Sequence, residues 1–223
     1  MRATSVSQAV ETRRTVRAFL PDPVPQELIA DILDRARMTP SGCNFQPWEA
    51  TILTGEPLRR LQEEMRTAAP QSPVEYDIQP KEITEEYLER LRGIGAMMYG
   101  AETIARDDSS ARRNFMARNI VSFGAPVVLF CHFPRFMGPP QWADVGMWLQ
   151  TVMLLAREAG LDTCPQEYMA LHARLIKSHI GVDDLTHILF CGLGIGYRDP
   201  EAGGNNFERP RVPLQRQARF VGF

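Results

Sequence analysis

Apolar residues at Leu28, Ile29, Ile32, Leu33 and Ala36 fall at i, i+1, i+4, i+5 and i+8, the stripe of one helix face. Pro25 suits the first turn of that helix, Glu27 and Asp31 lie near the positive end of its dipole, and Pro40 sets its latest end. EATILTG, residues 49–55, is bounded by Pro47 and Gly55 and predicts a short strand. A helix follows over about 58–66, then the polar, proline-broken TAAPQSPVEYDIQPKE, then helical text in ITEEYLERLRGIGAMMYG. APVVLFCHF, residues 125–133, is the strongest strand signal in the chain. Val145, Trp148, Leu149, Val152, Leu155, Ala156 and Ala159 then mark a long core helix after MGPPQW, stopped by Gly160. THILFCGLGIGY, residues 186–197, predicts a further strand before the polar RDPEAGGNNFERPRVP. Helices outnumber strands and do not alternate with them evenly, which favours an α+β class with a central sheet flanked by helices.

Composition narrows the classes. With 223 residues, 44% hydrophobic and 23% charged, the chain is long enough to bury a core as one domain, 1–223, with a middle insertion or lid at about 66–119. A formal net charge of -2 gives no global field for nucleic acid or an anionic membrane, so any anion must be bound locally. No stretch approaches the roughly 18 apolar residues of a membrane span, and the start of the chain has no continuous apolar signal-like run. The four cysteines, Cys43, Cys131, Cys164 and Cys191, form no CxxC pair and read as free thiols, with a reducing, cytoplasmic location expected. The closing ARFVGF is apolar where chains usually fray, and is expected to dock on something, a partner subunit being one choice.

Four clusters hold polar chemistry. RRTVR (Arg13, Arg14, Thr15, Arg17) and ERPRVP (Arg209, Arg211) carry guanidinium forks and a hydroxyl suited to a phosphate; they also suit solvated clusters paired with Glu11 and Glu208. PSGCNFQPW, from Pro40 to Trp48, offers Ser41, Gly42 and Asn44 to a ligand, or equally makes a helix-ending turn with a packed tryptophan. TCPQEY, residues 163–168, reads as a surface turn or as backbone amides aimed into a site. GLGIGY lacks GxGxxG spacing, and its glycines fit a strand packed closely against a neighbour. The histidines His132, His172, His179 and His187 make no metal motif, there is no GxSxG elbow, and nothing near Cys164 would lower its pKa. Phosphate-suited ends without an obvious acid, base or nucleophile leave the chemistry to a bound cofactor.

In order along the chain, RRTVRAF, PSGCNFQPW, EATILTG, the long helix ending in AGLDTCPQ, ILFCGLGIGY and RPRVPL resemble the nitroreductase family of FMN enzymes, nearest its nitrobenzoate-reductase branch. The resemblance covers roughly the first 60 and last 100 residues. It implies the nitroreductase-like fold, a mostly antiparallel central sheet flanked by helices, as an intertwined homodimer with FMN sites at the subunit interface. It implies that Arg13, Thr15, Arg209 and Arg211 hold the FMN phosphate, with Arg14 in the same segment and Arg17 near the ribityl chain and the N1/O2 edge. Pro40, Ser41, Gly42 and Asn44 would come from the partner; Pro165, Gln166 and Glu167 would run along the flavin, with the Glu167 N–H facing N5 and no catalytic side chain required. The activity implied is ping-pong hydride transfer from NADH or NADPH to a nitroaromatic or similar flat electrophile. Quinone, flavin or enone reduction, reductive dehalogenation, a non-catalytic flavin-binding dimer and a phosphate-binding interaction module are the alternatives. Arg112, Arg113 and Arg118 are open to a substrate carboxylate or to plain exposure, and Phe115, Phe133 and Phe136 to substrate stacking or core packing.

Overall fold

Residues 2–223 are described in a computed structural model. Four strands, β1 (Glu49–Thr54), β2 (Val127–Pro134), β3 (Asp162–Gln166) and β4 (His187–Gly196), form one sheet in the order β1-β2-β4-β3, antiparallel at every pairing. Eight helices surround it: α1 (Val6–Thr12), α2 (Gln26–Ala36), α3 (Gly55–Thr67), α4 (Glu85–Ala101), α5 (Ser109–Ala117), α6 (Pro139–Glu158), α7 (Ala173–Ile180) and α8 (Gly203–Asn206). This is the expected α+β arrangement.

The alternation of β2 explains its unbroken apolar text. Val127, Leu129, Cys131 and Phe133 face α2 and α6, meeting Ile29, Ile32, Val145, Trp148 and Val152. Val128 and Phe130 turn the other way, onto Leu58, Leu61 and Met65 of α3 and Ile176 of α7. A strand buried on both faces has no polar side to display, so period-two patterning disappears from it. The glycines of β4 follow from the same crowding: a Cβ on Gly192 would meet Met169 at 2.8 Å, and one on Gly196 would meet Pro126 at 2.7 Å.

The long helix is α6. It starts with Pro139 and Pro140, which need no helical N–H partner, and Gln141 Oε1 accepts from the Gly138 N–H at 3.2 Å. Gly160, at φ 88°, lets the chain leave it in the left-handed region. Trp48 stacks flat on Trp148 of α6, centroids 6.1 Å apart, and so fixes the approach to β1.

One sequence expectation is corrected here. TCPQEY is not a surface turn: residues 162–166 are β3, with Asp162, Thr163, Cys164 and Gln166 buried. Pro165 disguises it. β3 pairs along its length with β4 and on its other side meets only an isolated bridge at Thr163, so at this edge a proline at 165 is tolerated.

The middle of the chain divides into two parts. Its first part is docked: Gln71 N–H donates to the Leu171 carbonyl at 2.7 Å, Tyr76 packs edge-on against Trp142, and Glu75 pairs with the fully buried Lys177 at 3.0 Å. By contrast α4 has no buried residue, and Tyr87, Leu91 and Met97 are exposed along it. That helix touches the body chiefly through α8, where Gly203 and Gly204 pass against the Ala101 carbonyl and the Glu102 side chain with no room for a Cβ.

Candidate functional site

The chain leaves α1 at Arg13 and runs beside the sheet edge. Thr15 bridges Thr163 of β3 in parallel, and Val16 N–H donates to the Thr163 carbonyl at 3.0 Å. The C-terminal segment wraps the same stretch from outside: Arg209 Nη2 donates to the Thr15 carbonyl at 3.1 Å and to that of Gly204 at 3.3 Å. Arg14 Nη1 donates to the Phe207 carbonyl at 3.3 Å. Ends of the chain nearly 200 residues apart thereby form one basic cradle.

Asn205 locks the wrap. It is fully buried; its Oδ1 accepts the Arg17 N–H at 2.8 Å, while its Nδ2 donates to the Ala18 and Asp199 carbonyls, both at 2.9 Å. The Ala18 carbonyl also accepts from the Asp199 N–H at 3.0 Å, so the amide and the backbone tie the two segments together at the same point.

Electrostatically the cradle is one-sided. Burial and the charges of Arg14, Arg17, Arg13 and Arg198 push the Arg209 guanidinium down to about 10, and burial with the nearby Arg211 lowers Arg13. Among the described residues no carboxylate pairs with Arg13, Arg14, Arg17, Arg209 or Arg211, so the expected pairing with Glu11 and Glu208 is not what balances them. A cluster of like charges held together by backbone carbonyls is short of an anion.

The cradle opens into a cavity of about 1280 Å³ between the arginines, α4 and α5. Thr15, Arg17, Arg209 and Arg211 line it at one end, Arg92, Arg106 and Arg112 elsewhere, and Tyr99, Phe115 and Phe123 give it an apolar wall. No Asp, Glu, His, Lys or Cys is among its lining residues. Such a space offers anion binding and flat apolar contact, with the Thr15 and Tyr99 hydroxyls but no carboxylate, imidazole, amine or thiol to act as an ordinary base or nucleophile. Cys164, beneath the wall, has its thiol pushed up to about 12 by burial and is no thiolate at neutral pH.

The expected residues separate into two groups. Arg13, Arg14, Thr15, Arg17, Arg209 and Arg211 converge, with Pro165, Gln166 and Glu167 continuing from β3 next to Thr15. Of the expected cofactor-binding residues, Thr15, Arg17, Arg209 and Arg211 line the cavity, while Arg13, Arg14, Pro165, Gln166 and Glu167 do not. Pro40, Ser41, Gly42 and Asn44 stand apart from the converging residues, and none lines the cavity. Their loop is instead built against α6: Gly42 N–H donates to Asp144 at 3.2 Å, and Ser41 Oγ accepts from the Gln46 N–H at 2.9 Å. Cys43, Asn44 and Gln46 hold φ values of 52°, 58° and 47°, conformations that side chains resist, while Pro40, Gly42 and Asn44 stay exposed.

The three arginines of α5 and its exit also part ways. Arg118 is committed to Glu102 at 2.9 Å and to the Arg17 carbonyl, lying over Phe115 and Phe123. Arg113 is exposed. Arg112 stacks on Tyr99 in the cavity wall, and its buried Nε has no hydrogen-bond partner. Phe115 joins that wall, whereas Phe133 is a core residue and Phe136 stands 83% exposed elsewhere.

Sequence reading missed Asn205 and the pair Asn119–Gln166, in which Gln166 Nε2 donates to both oxygens of Asn119 at 3.0 and 3.1 Å. The Gln166 Oε1 remains a buried acceptor without a partner. GGNN reads as a turn, and nothing in a lone asparagine announces a partner 47 residues away.

The model of the nitroreductase family matches residues 10–197. A 4-nitrobenzoate reductase of Pseudomonas putida is 38% identical over 217 residues, covering 96% of this chain and 94% of that one. Among solved structures, the FMN and NADPH-dependent nitroreductase NfnB from sphigopyxis sp. strain HMH superposes with a TM-score of 0.93 at 44% identity, covering 98% of this chain and 100% of that one. The FMN-dependent nitroreductase NfnB from Mycobacterium smegmatis in complex with NADPH gives 0.87 at 29% identity, covering 97% and 100%.

Proposed function

The chain belongs to the nitroreductase family, and from that premise we propose that it is an FMN-dependent oxidoreductase that uses NAD(P)H to reduce nitroaromatic compounds or similar flat electrophiles. One observation carries the reading: a large cavity with unpaired arginines at one end, an apolar wall, and no carboxylate, imidazole, amine or thiol among its lining residues. A protein that supplies charge and shape but no reactive side chain depends on a bound group for its chemistry.

The residues fit FMN. Its phosphate dianion is what the cradle lacks: Arg13, Arg209 and Arg211 would hold it with the Thr15 hydroxyl, and its negative charge would relieve the repulsion among the half-buried guanidinium groups. Arg17, with Arg14 behind it, keeps positive charge where the flavin ring would gain negative charge, and Pro165, Gln166 and Glu167 would flank that ring. Held by these residues, FMN would supply two-electron hydride-transfer chemistry between a reduced nicotinamide and the acceptor. Tyr99, Phe115 and Phe123 exclude water from the wall and offer faces to a flat acceptor, while Arg112 brings a cation to it. That cation suits a ring bearing a carboxylate.

We assign the exposed loop Pro40, Ser41, Gly42 and Asn44 to the cavity of a second copy, which makes the working unit a homodimer. Its strained, rigidly anchored backbone and its distance from the chain's own cavity lining support this. No described helix is long and apolar enough to cross a membrane, and the four free thiols support work in the cytoplasm.

Initial rates measured with NADPH and 4-nitrobenzoate varied against one another test the function. Parallel double-reciprocal lines are expected, because donor and acceptor occupy one cavity in turn; intersecting lines, or no NADPH oxidation, would contradict it.

A further inference from the structure

At the opposite end of β4 from the cradle, three side chains from three strands meet. Glu49 opens β1 and pairs in register with His132 near the end of β2, where a bulge between Cys131 and His132 shifts the pairing with β4. His187 opens β4 opposite Pro134. Glu49 Oε2 lies 3.4 Å from His132 Nδ1, and Glu49 Oε1 lies 3.5 Å from His187 Nε2. One donor atom from each of the three residues lies within 4.8 Å of the other two.

The remaining ring nitrogens are already occupied. His132 Nε2 sits 3.2 Å from Thr51 Oγ1, and His187 Nδ1 sits 2.9 Å from Thr186 Oγ1. Each hydroxyl can take the N–H of its imidazole, which leaves the lone pairs of His132 Nδ1 and His187 Nε2 turned toward the carboxylate. His132 is only 4% exposed, and its Nδ1 has no hydrogen-bond partner despite the nearby Glu49. Two lone pairs and a carboxylate pointed at one another need something positive between them.

We propose that Glu49, His132 and His187 bind a divalent transition-metal ion of the zinc type. Two imidazole nitrogens and one carboxylate select such an ion over magnesium or calcium. With one donor atom from each residue inside 4.8 Å, a small closure of the exposed Glu49 and His187 side chains brings the three to the edge of about 3.3 Å expected for a tetrahedron with bonds near 2.0 Å. The side chains of Glu49 and His187 are 48% and 24% exposed, so the ion has access and water can complete its shell. The nearby cations Lys177 and Arg135 donate to the His187 carbonyl at 2.9 and 2.8 Å, and their charge is partly offset by Glu75 and Asp184. The ion would tie the start of β1 to β2 and β4, and so stabilise the folded chain.

Calorimetric titration of the FMN-saturated protein with zinc sulfate near neutral pH tests this, with Glu49→Gln and His187→Ala alongside the parent. Both positions are solvent-accessible, so the variants should fold, which far-ultraviolet dichroism checks. One equivalent per chain is expected in the parent, weakened at least about tenfold in each variant, with a zinc-dependent rise in melting temperature seen only in the parent. Zinc binding that is absent from the parent, or equal in parent and variants, would overturn the site. Neither readout depends on turnover, so failure here leaves the proposed function standing.

Discussion

Asn205 carries more of the site's geometry than any arginine, because one amide holds three backbone groups on two segments. Asn205→Leu keeps the volume and removes every bond, so stability should fall by on the order of 3 kcal/mol and FMN should be lost with it. Urea unfolding checks the first effect; an unchanged midpoint would mean that water replaces the amide. The contrast with the arginines explains what a sequence displays. RRTVR is legible because its cations are contiguous and a phosphate site needs nothing rarer. Asn205 is a common turn residue whose role depends on where Arg17 and Asp199 come to rest. Glu49, His132 and His187 were illegible for the same reason: no local spacing unites three strands, and the bulge beside His132 that helps bring them together leaves no mark in the text.

At the scale of elements, period and punctuation recovered α2, α6, β1, β2 and β4, whose apolar faces all meet the sheet core. β3 escaped because Pro165 argues against a strand, and only its edge position reconciles the two. The α4 text is helical, yet what covers this helix is not local information, for none of its residues is buried in the chain's own core. The joint between β3 and α7 gives a pH prediction. His172 caps α7, is buried, and has an Nδ1 without a partner; burial lowers its pKa below the ordinary value. Below about pH 6.5 the unfolded chain takes up a proton that the folded chain resists, so stability should fall with acidification from there down to the lowered pKa. His172→Phe should show a shallower fall on acidification below about pH 6.5 in denaturant unfolding. An identical slope would show that His172 is protonated equally easily in both states.

For the molecule as a whole, the unpaired loop after α2 and the exposed tail point the same way. Phe220 and Val221 are 67% and 73% exposed, an apolar end with nothing of its own chain to cover it. Deleting residues 218–223 should shift a dilute sample toward half the dimer mass in sizing chromatography; an unchanged elution volume would assign the tail another role. The α+β class was legible at this scale, but the proposed place of the loop after α2 in a second copy was not, since a contact with a partner leaves no mark within a single chain. On the proposed reading Arg13 and Arg211 recognise the phosphate of FMN, and riboflavin, which lacks that phosphate, isolates their contribution. Titrating both flavins into the parent and into Arg13→Ala/Arg211→Ala, followed by flavin fluorescence, is the decisive measurement. The parent should prefer FMN by roughly 100-fold or more, as two charge-assisted hydrogen bonds allow, and the double variant should lose most of that preference while binding riboflavin as before. Equal affinity of the parent for both flavins, or FMN binding undiminished in the variant, would contradict the assignment.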